Sequence, residues 1–217
     1  MRTIGDRLGT FFNSIKDEEA KSYSNYWETV KPKNRTEIFQ RYLFAFMSVH
    51  TTWKMNCLGY NGVKDFTEWG KNREILRGKI YKARVGMHNN RANYIGLFHD
   101  NFWDSPTDYV ARKEGERWTD WRNRLAKNIL GLGKAKSSFA IEMLYPNDAK
   151  VACMDVHLFR LYGLKQKQAH KYYHIIEHDW VSRSSKRGIA PYIARCIYWD
   201  RKQNRKNSRY WSEVLEV

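Results

Sequence analysis

Residues 121–163 read WRNRLAKNILGLGKAKSSFAIEMLYPNDAKVACMDVHLFRLYG, and the fold is decided here. Trp121, Leu125 and Ile129 recur at helical spacing, so the run from Thr119 to Leu130 reads as an amphipathic helix. Gly131-Leu132-Gly133 makes a tight turn, and a second helix runs from about Lys134 to Tyr145, ended by Pro146-Asn147-Asp148. Glycines around Leu132 permit a reversal that side chains would obstruct, and they let backbone N–H groups approach an anion. The N-terminus of the helix at Lys134 favours phosphate, and Lys134 and Lys136 add positive charge beside it. Helix, turn and helix together form a sequence-independent grip on a nucleic-acid backbone. A plain helical hairpin with a glycine cap fits the same residues, and the turn alone does not choose between the two.

Farther along the stretch, Asp155 follows the small and apolar Val151, Ala152, Cys153 and Met154 and precedes a helix through Tyr162. The commonest job of such a residue is to cap the helix. The functional reading is a carboxylate at the mouth of a pocket, stabilising positive charge on a deoxyribose and positioning a water. Spacing by itself favours the cap.

The rest of the chain reads as helices. The four prolines, Pro32, Pro106, Pro146 and Pro191, punctuate helical segments, and strand-like alternation is scarce. Asn34 or Thr36 caps a helix whose run, IFQRYLFAFMSVHTTWKMN, is apolar around most of its circumference and belongs at the centre of a domain. Further helices are expected over 64–83, 89–102, 107–114, 170–181 and 190–204. The fold class is all-α.

Charge bounds the function. Thirty-nine Lys and Arg against 23 Asp and Glu give the 217-residue chain a formal charge of +16, which draws polyanions, nucleic acid first among them. No apolar stretch approaches the ~20 residues that span a bilayer, and the N-terminus lacks the apolar run of a secretory signal, so a soluble intracellular protein without a membrane partner is expected. Cys57, Cys153 and Cys196 are too few and too scattered for a disulfide framework, a zinc site or an iron–sulfur cluster.

The segment resembles the helix-hairpin-helix DNA glycosylase superfamily. Its members carry a Leu-Pro-Gly-Val-Gly-type hairpin and, one helix later, a Val-Asp-Thr-His-Val or Val-Asp-Val-His block. The corresponding residues are Leu130-Gly131-Leu132-Gly133 and Met154-Asp155-Val156-His157-Leu158-Phe159-Arg160. The Asp-Val-His core is similar to that of the 8-oxoguanine glycosylases, and Asp-x-His-x-Phe-Arg to endonuclease III. Residues 85–95 resemble the family's Gly-x-x-x-x-Lys/Arg-Ala-x-x-Ile segment, with Arg91 at the basic position. Met47-Ser48-Val49-His50-Thr51-Thr52 resembles Leu-Ser-x-Gln-x-Thr, which places His50 where the family wedges a side chain into the DNA stack. Three features depart from the pattern. Leu130 replaces the hairpin proline, the cluster cysteines of endonuclease III are absent, and Ala135 stands where bifunctional members carry a catalytic lysine, flanked by Lys134 and Lys136.

The resemblance implies a two-lobed helical unit over residues 1–217. Its parts are an N-terminal arm at 1–33, a helical-barrel lobe at 34–130, the helix-hairpin-helix at 118–145, and a second lobe at 146–217 with a basic C-terminal helix. It implies a monomer on double-stranded DNA. Backbone amides of Gly131, Leu132, Gly133, Lys134 and Ala135 would hold phosphate, with Arg91 also on the nucleic acid and His50 filling the vacated stack. Trp53, Phe46 and Tyr42, taken to lie along one helix, would wall the pocket of a flipped base. Arg183, Lys186, Arg187, Arg201, Lys202, Arg205, Lys206 and Arg209 would extend the phosphate contact. Asp155 would be catalytic, with Lys136 the second residue to consider, as a phosphate contact or, after a one-residue shift, as a nucleophile. No cofactor and no side-chain metal site are expected, although hairpins of this kind can hold a monovalent cation on backbone carbonyls. The leading expectation is a monofunctional glycosylase acting on a damaged or modified base. Two alternatives stand beside it: a virus-type transferase that modifies the base by group transfer, and a binding module without chemistry.

Overall fold

The computed structural model describes residues 4–204 and Val214, and among them every regular element is a helix. The described residues form two compact units: residues up to Lys31 group with 141–204, and Pro32–Ala140 with Val214 make the other.

The unit at Pro32–Ala140 contains α3 (Arg35–Met47), α4 (Trp53–Val63), α5 (Arg73–Lys82), α6 (His88–Asp104), the short α7 (Thr107–Val110), α8 (Trp118–Asn128) and the start of α9 (Lys134–Leu144). Asn34 caps α3 by accepting from the Glu37 amide, while the Glu37 carboxylate reaches back to the Lys33 amide. The core is aromatic. Phe39 stacks on Phe98 at 5.6 Å, and Phe102, Tyr42, Phe66 and Trp69 pack around that pair. Rings of this size bury much apolar surface on few side chains, so short helices suffice.

The long apolar helix expected through residues 38–56 is two helices. The α3 helix stops at Met47 because hydroxyls take its last carbonyls: Ser48 Oγ donates to Ala45 O at 2.7 Å and Thr51 Oγ1 to Met47 O at 2.6 Å. His50 then adopts a left-handed φ of 52°, and Thr52 caps α4. Trp53 therefore lies on a different helix from Tyr42 and Phe46. Residues 64–72 likewise form turns rather than helix, and Asn72 caps a shorter α5 by accepting from the amides of Glu74 and Ile75.

The other unit holds α1 (Ile4–Ser14), α2 (Asp17–Thr29), the end of α9, α10 (Val156–Leu161), α11 (Ala169–Lys186) and α12 (Pro191–Lys202). The residues read as an N-terminal arm are part of its core. Trp27 meets Tyr192 edge-on at 4.7 Å, Phe12 packs on Trp180 at 5.0 Å, and Trp180 Nε1 donates to Pro191 O.

The hairpin between α8 and α9 is built on Gly131. Its φ is +88°, and a Cβ there would lie 2.5 Å from the Tyr94 ring of α6. Gly133 faces open space. Gly131→Ala is therefore expected to cost roughly 2 kcal/mol or more, from left-handed strain and the Tyr94 clash. Gly133→Ala should be neutral to slightly stabilising, within about 1 kcal/mol. Urea unfolding of the two variants checks both signs, and equal stabilities would contradict this packing.

Candidate active site and nucleic-acid interface

Asp155 is an N-cap and more. Oδ1 accepts from the amides of His157 (2.9 Å) and Leu158 (3.0 Å) at the start of α10, and Oδ2 accepts from Trp199 Nε1 of α12 at 2.7 Å. A carboxylate offers about four acceptor sites, so three donors fix its orientation and leave capacity for one more partner. The side chain is half-buried. Around it, the His157 ring packs edge-on against Trp199 at 4.8 Å, and Tyr198 donates to His157 O. Burial raises the Tyr198 phenol above its ordinary value, and the Asp155 charge adds to that. His157 Nδ1 is buried beside Asp155 with no protein partner among the described residues.

The extended segment leading into Asp155 is held from beneath by side chains. Glu177 Oε1 of α11 accepts from the Ala152 amide at 3.1 Å. Glu142 Oε1 of α9 accepts from the Cys153 amide at 3.2 Å. The Tyr173 hydroxyl accepts from the Met154 amide and donates to Ala152 O at 2.8 Å. Glu142 is fully buried and takes Arg195 in two-point contact, Nε on Oε1 at 3.1 Å and Nη2 on Oε2 at 2.8 Å. Such a segment has no ladder or helix to satisfy its amides, so buried acceptors do it.

At the hairpin, the Lys136 and Ser137 amides bond back to Gly133 O, and Leu132 N donates to Ile129 O. Among the described residues, the amides of Gly133, Lys134 and Ala135 have no acceptor, the ordinary condition of a helix N-terminus and a ready anion cradle. Two expectations change here. The Leu132 amide is used inside the turn, and its buried side chain anchors the hairpin rather than touching a ligand. Lys136 is half-buried with Nζ 5.7 Å over the Phe139 ring, while Lys134 is exposed. For a monovalent cation, the carbonyls of Ile129 and Leu132 each accept one hydrogen bond and keep a second lone pair, whereas Gly133 O already accepts two. No cluster of metal-ligating side chains occurs among the described residues.

Arg91 is not on the surface. It is 4% exposed, with Nε donating to Gly86 O at 3.1 Å and the other two nitrogens to Phe46 O and Val49 O. Burial lowers its pKa. A guanidinium with its donors in a fixed fork thus ties the α3–α4 turn to the α5–α6 turn. Each of those turns carries an exposed residue with left-handed backbone: His50 on one, and on the other Met87, with φ 50° and 48% exposure. Met87 escaped the sequence reading, although Gly86 before it marked the turn.

Tyr42 and Phe46 do not wall a pocket. Both are core residues, Tyr42 with its hydroxyl on Tyr109 O at 2.8 Å and Phe46 5.6 Å from Phe98. Trp53, half-buried, meets Phe44 edge-on at 5.5 Å. One turn farther along α4, Asn56 is 4% exposed and its Oδ1 has no partner among the described residues.

Several cations read as phosphate contacts are engaged within the chain. Arg183 pairs with Asp179, Arg187 with Asp17 and Arg201 with Glu19. Lys186 and Lys202 are exposed, and Arg205, Lys206 and Arg209 lie outside the described residues. No described helix is long and apolar enough to cross a membrane.

The fold matches solved structures of DNA glycosylases. The 8-oxoguanine DNA glycosylase of Thermotoga maritima superposes with a TM-score of 0.71 at 16% identity, over 91% of this chain and 96% of that one. The 8-oxoguanine DNA glycosylase of Methanocaldococcus jannaschii gives 0.66 at 20% identity, over 93% and 90%. The 8-oxoguanine glycosylase/lyase of that organism, in complex with a 15mer DNA containing 8-oxoguanine, gives 0.71 at 18% identity, over 92% and 96%. No sequence-family profile and no curated protein matches. The chain therefore shares the all-α fold of these solved glycosylase structures.

The carboxylates beneath Asp155 set a pH dependence. Burial, reinforced by the Glu177 charge, raises Glu142 from its ordinary value near 4.5 to about 7, against the opposing pull of Arg195 and the Cys153 amide. The folded chain thus keeps a proton that the unfolded chain has lost across that window, and stability falls as pH rises through it. Glu142→Gln is expected to flatten the fall in melting temperature from about pH 5 to pH 7. Glu142→Ala should cost about 3–5 kcal/mol by stranding Arg195. A pH series of melting curves checks this, and an unchanged slope in Glu142→Gln would contradict the assignment.

Proposed function

We propose that this protein is a DNA N-glycosylase that releases a flipped base by hydrolysis, with Asp155 as its catalytic carboxylate. The observation that carries this reading is the orientation of Asp155: three donors hold it on top of a backbone segment pinned by Glu142, Glu177 and Tyr173. A cap needs only the two α10 amides. The Trp199 donor on the other oxygen, from a helix remote in sequence, adds an aim that capping does not require.

The reaction follows from that placement. The C1′–N bond breaks with its electron pair going to the base, which takes up a proton. Positive charge developing on the sugar is stabilised by the Asp155 carboxylate. The remaining acceptor site on Asp155 orients a water, which adds to C1′ and gives up its proton. Double-stranded DNA is held through phosphate at the amides of Gly133, Lys134 and Ala135, with Lys134 and Lys136 supplying charge. His50 and Met87 are the candidates to enter the base stack, Met87 as an apolar wedge of the kind that unstacks base steps. Trp53 and Asn56, whose Oδ1 has no partner among the described residues, are the candidates to face the flipped base.

The absence of lysine at position 135 supports a monofunctional enzyme, because Schiff-base chemistry needs an amine at the sugar. Lys136 beside the Phe139 ring then serves phosphate, and borohydride should trap no covalent complex.

The test is product analysis on DNA carrying uracil, hydroxymethyluracil, alkylated and oxidised bases. Released base is expected from the wild type. Asp155→Asn should lower the rate by roughly 10²–10³-fold. Trp199→Phe, which removes one hydrogen bond to a charged group, should lower it by about tenfold with the melting temperature nearly kept. A base altered in mass yet still attached to its sugar would replace excision by group transfer. Full activity in Asp155→Asn would leave Asp155 as a cap only.

A further inference from the structure

Beyond the end of α5 lies an open cleft of about 520 Å³ lined by Tyr81, Lys82, Arg84, Gly86 and His88. That volume lies within the range of small-ligand sites. Three features set it apart from the surrounding surface. Tyr81 is 67% exposed, the largest exposure among the big hydrophobic side chains of the described residues, and it makes a T-shaped contact with the His88 ring at 5.2 Å. A tyrosine ring exposed to this degree offers surface on which a base can stack. The second feature is charge. Along α5, Arg73 pairs with Asp100, Arg77 with Glu74 and Lys79 with Glu68. Lys82 and Arg84, the two cations of the cleft, have no acidic partner among the described residues. The third is backbone. Arg84 is held at φ 55° and Gly86 at 74°, and the Gly86 carbonyl is fixed by Arg91. A non-glycine residue in the left-handed region costs about 1–2 kcal/mol, a strain borne here by an exposed arginine that lines the cleft and has no acidic partner among the described residues.

We infer that this cleft binds one nucleotide of a DNA single strand, its base stacked on Tyr81 and its flanking phosphates held by Lys82 and Arg84. A single strand is required because a base within a duplex already has both faces covered. Phosphate alone would not call for the exposed ring. Gly86 leaves the floor open, with nothing within 4 Å of where a Cβ would stand. The site rests on the reading of this protein as DNA-binding but not on the chemistry of Asp155.

The experiment is a binding titration with a short DNA single strand carrying one 2-aminopurine, whose fluorescence drops on stacking. Wild type should bind and quench it. Tyr81→Ala should weaken binding by roughly 5- to 100-fold and abolish quenching, while Tyr81→Phe stays within about twofold of wild type. Lys82→Ala/Arg84→Ala should flatten the dependence of log K on log salt by about 1.4. Tyr81 is so exposed that its variants should fold, and melting curves verify that. Wild-type affinity and quenching in Tyr81→Ala would overturn the inference, as would an RNA strand of the same sequence competing better than DNA. Base release with a neutral Tyr81→Ala would sink the cleft alone. Single-strand binding that depends on Tyr81, without base release, would sink the Asp155 reading alone.

Discussion

The buried ion pair between Glu142 and Arg195 is the constraint from which the candidate active site follows. Taking both charges out of water is costly, and the pair persists because each carboxylate oxygen has a donor and one of them also takes a backbone amide. That amide belongs to Cys153, two residues before Asp155. With Glu177 on Ala152 and Tyr173 on Met154, an extended run of backbone gains the satisfaction that helices obtain internally. Asp155 is thereby placed by buried polar groups, and Trp199 then aims it. Burial of Glu142, with the Glu177 charge adding to it, raises that carboxyl to about 7 against the opposing pull of Arg195.

Arg91 does comparable work in the unit at Pro32–Ala140. Left-handed backbone at His50 and Met87 costs energy at both positions, and such strain persists only where surrounding bonds over-determine it. Three donors on one planar group, reaching carbonyls of both turns, supply that over-determination. The result is a pair of exposed side chains on stiffened turns. A group that must enter a base stack gains from such stiffness, because little conformational freedom remains to be lost on binding.

The positive charge is unevenly used. Arg183, Arg187 and Arg201 spend theirs on internal pairs, and α5 pairs its basic residues until its end. Lys134 at the hairpin and Lys82 and Arg84 at the cleft remain directed to solvent. A formal +16 thus brings a polyanion toward the whole molecule, while a few uncompensated cations decide where it settles.

Local chemistry was legible in the sequence. Gly131-Leu132-Gly133 between two periodic runs announces the hairpin, because backbone reversal is a property of the residues at the turn. Asn34 and Asp155 announce helix starts for the same reason. The all-α class follows from helical periodicity with little alternation. The sequence also placed Asp155 and the hairpin in the order that the glycosylase resemblance requires. It misjudged residues whose role depends on neighbours far along the chain. Arg91 has the composition of a phosphate contact, and only packing against Phe46, Val49 and Gly86 turns it inward. Tyr42 and Phe46 look like pocket walls until Phe98, Phe102 and Tyr109 close over them. The apolar run at 38–56 reads as one helix because periodicity does not register hydroxyls that take backbone carbonyls at Ser48 and Thr51. Trp199, Tyr173, Glu177 and Arg195 carry no local signal at all, since each acts on a backbone or carboxylate atom at least 19 positions away. Burial and the partners it imposes are properties of the assembled chain, and so the tertiary structure alone decided which charges face solvent and what holds Asp155.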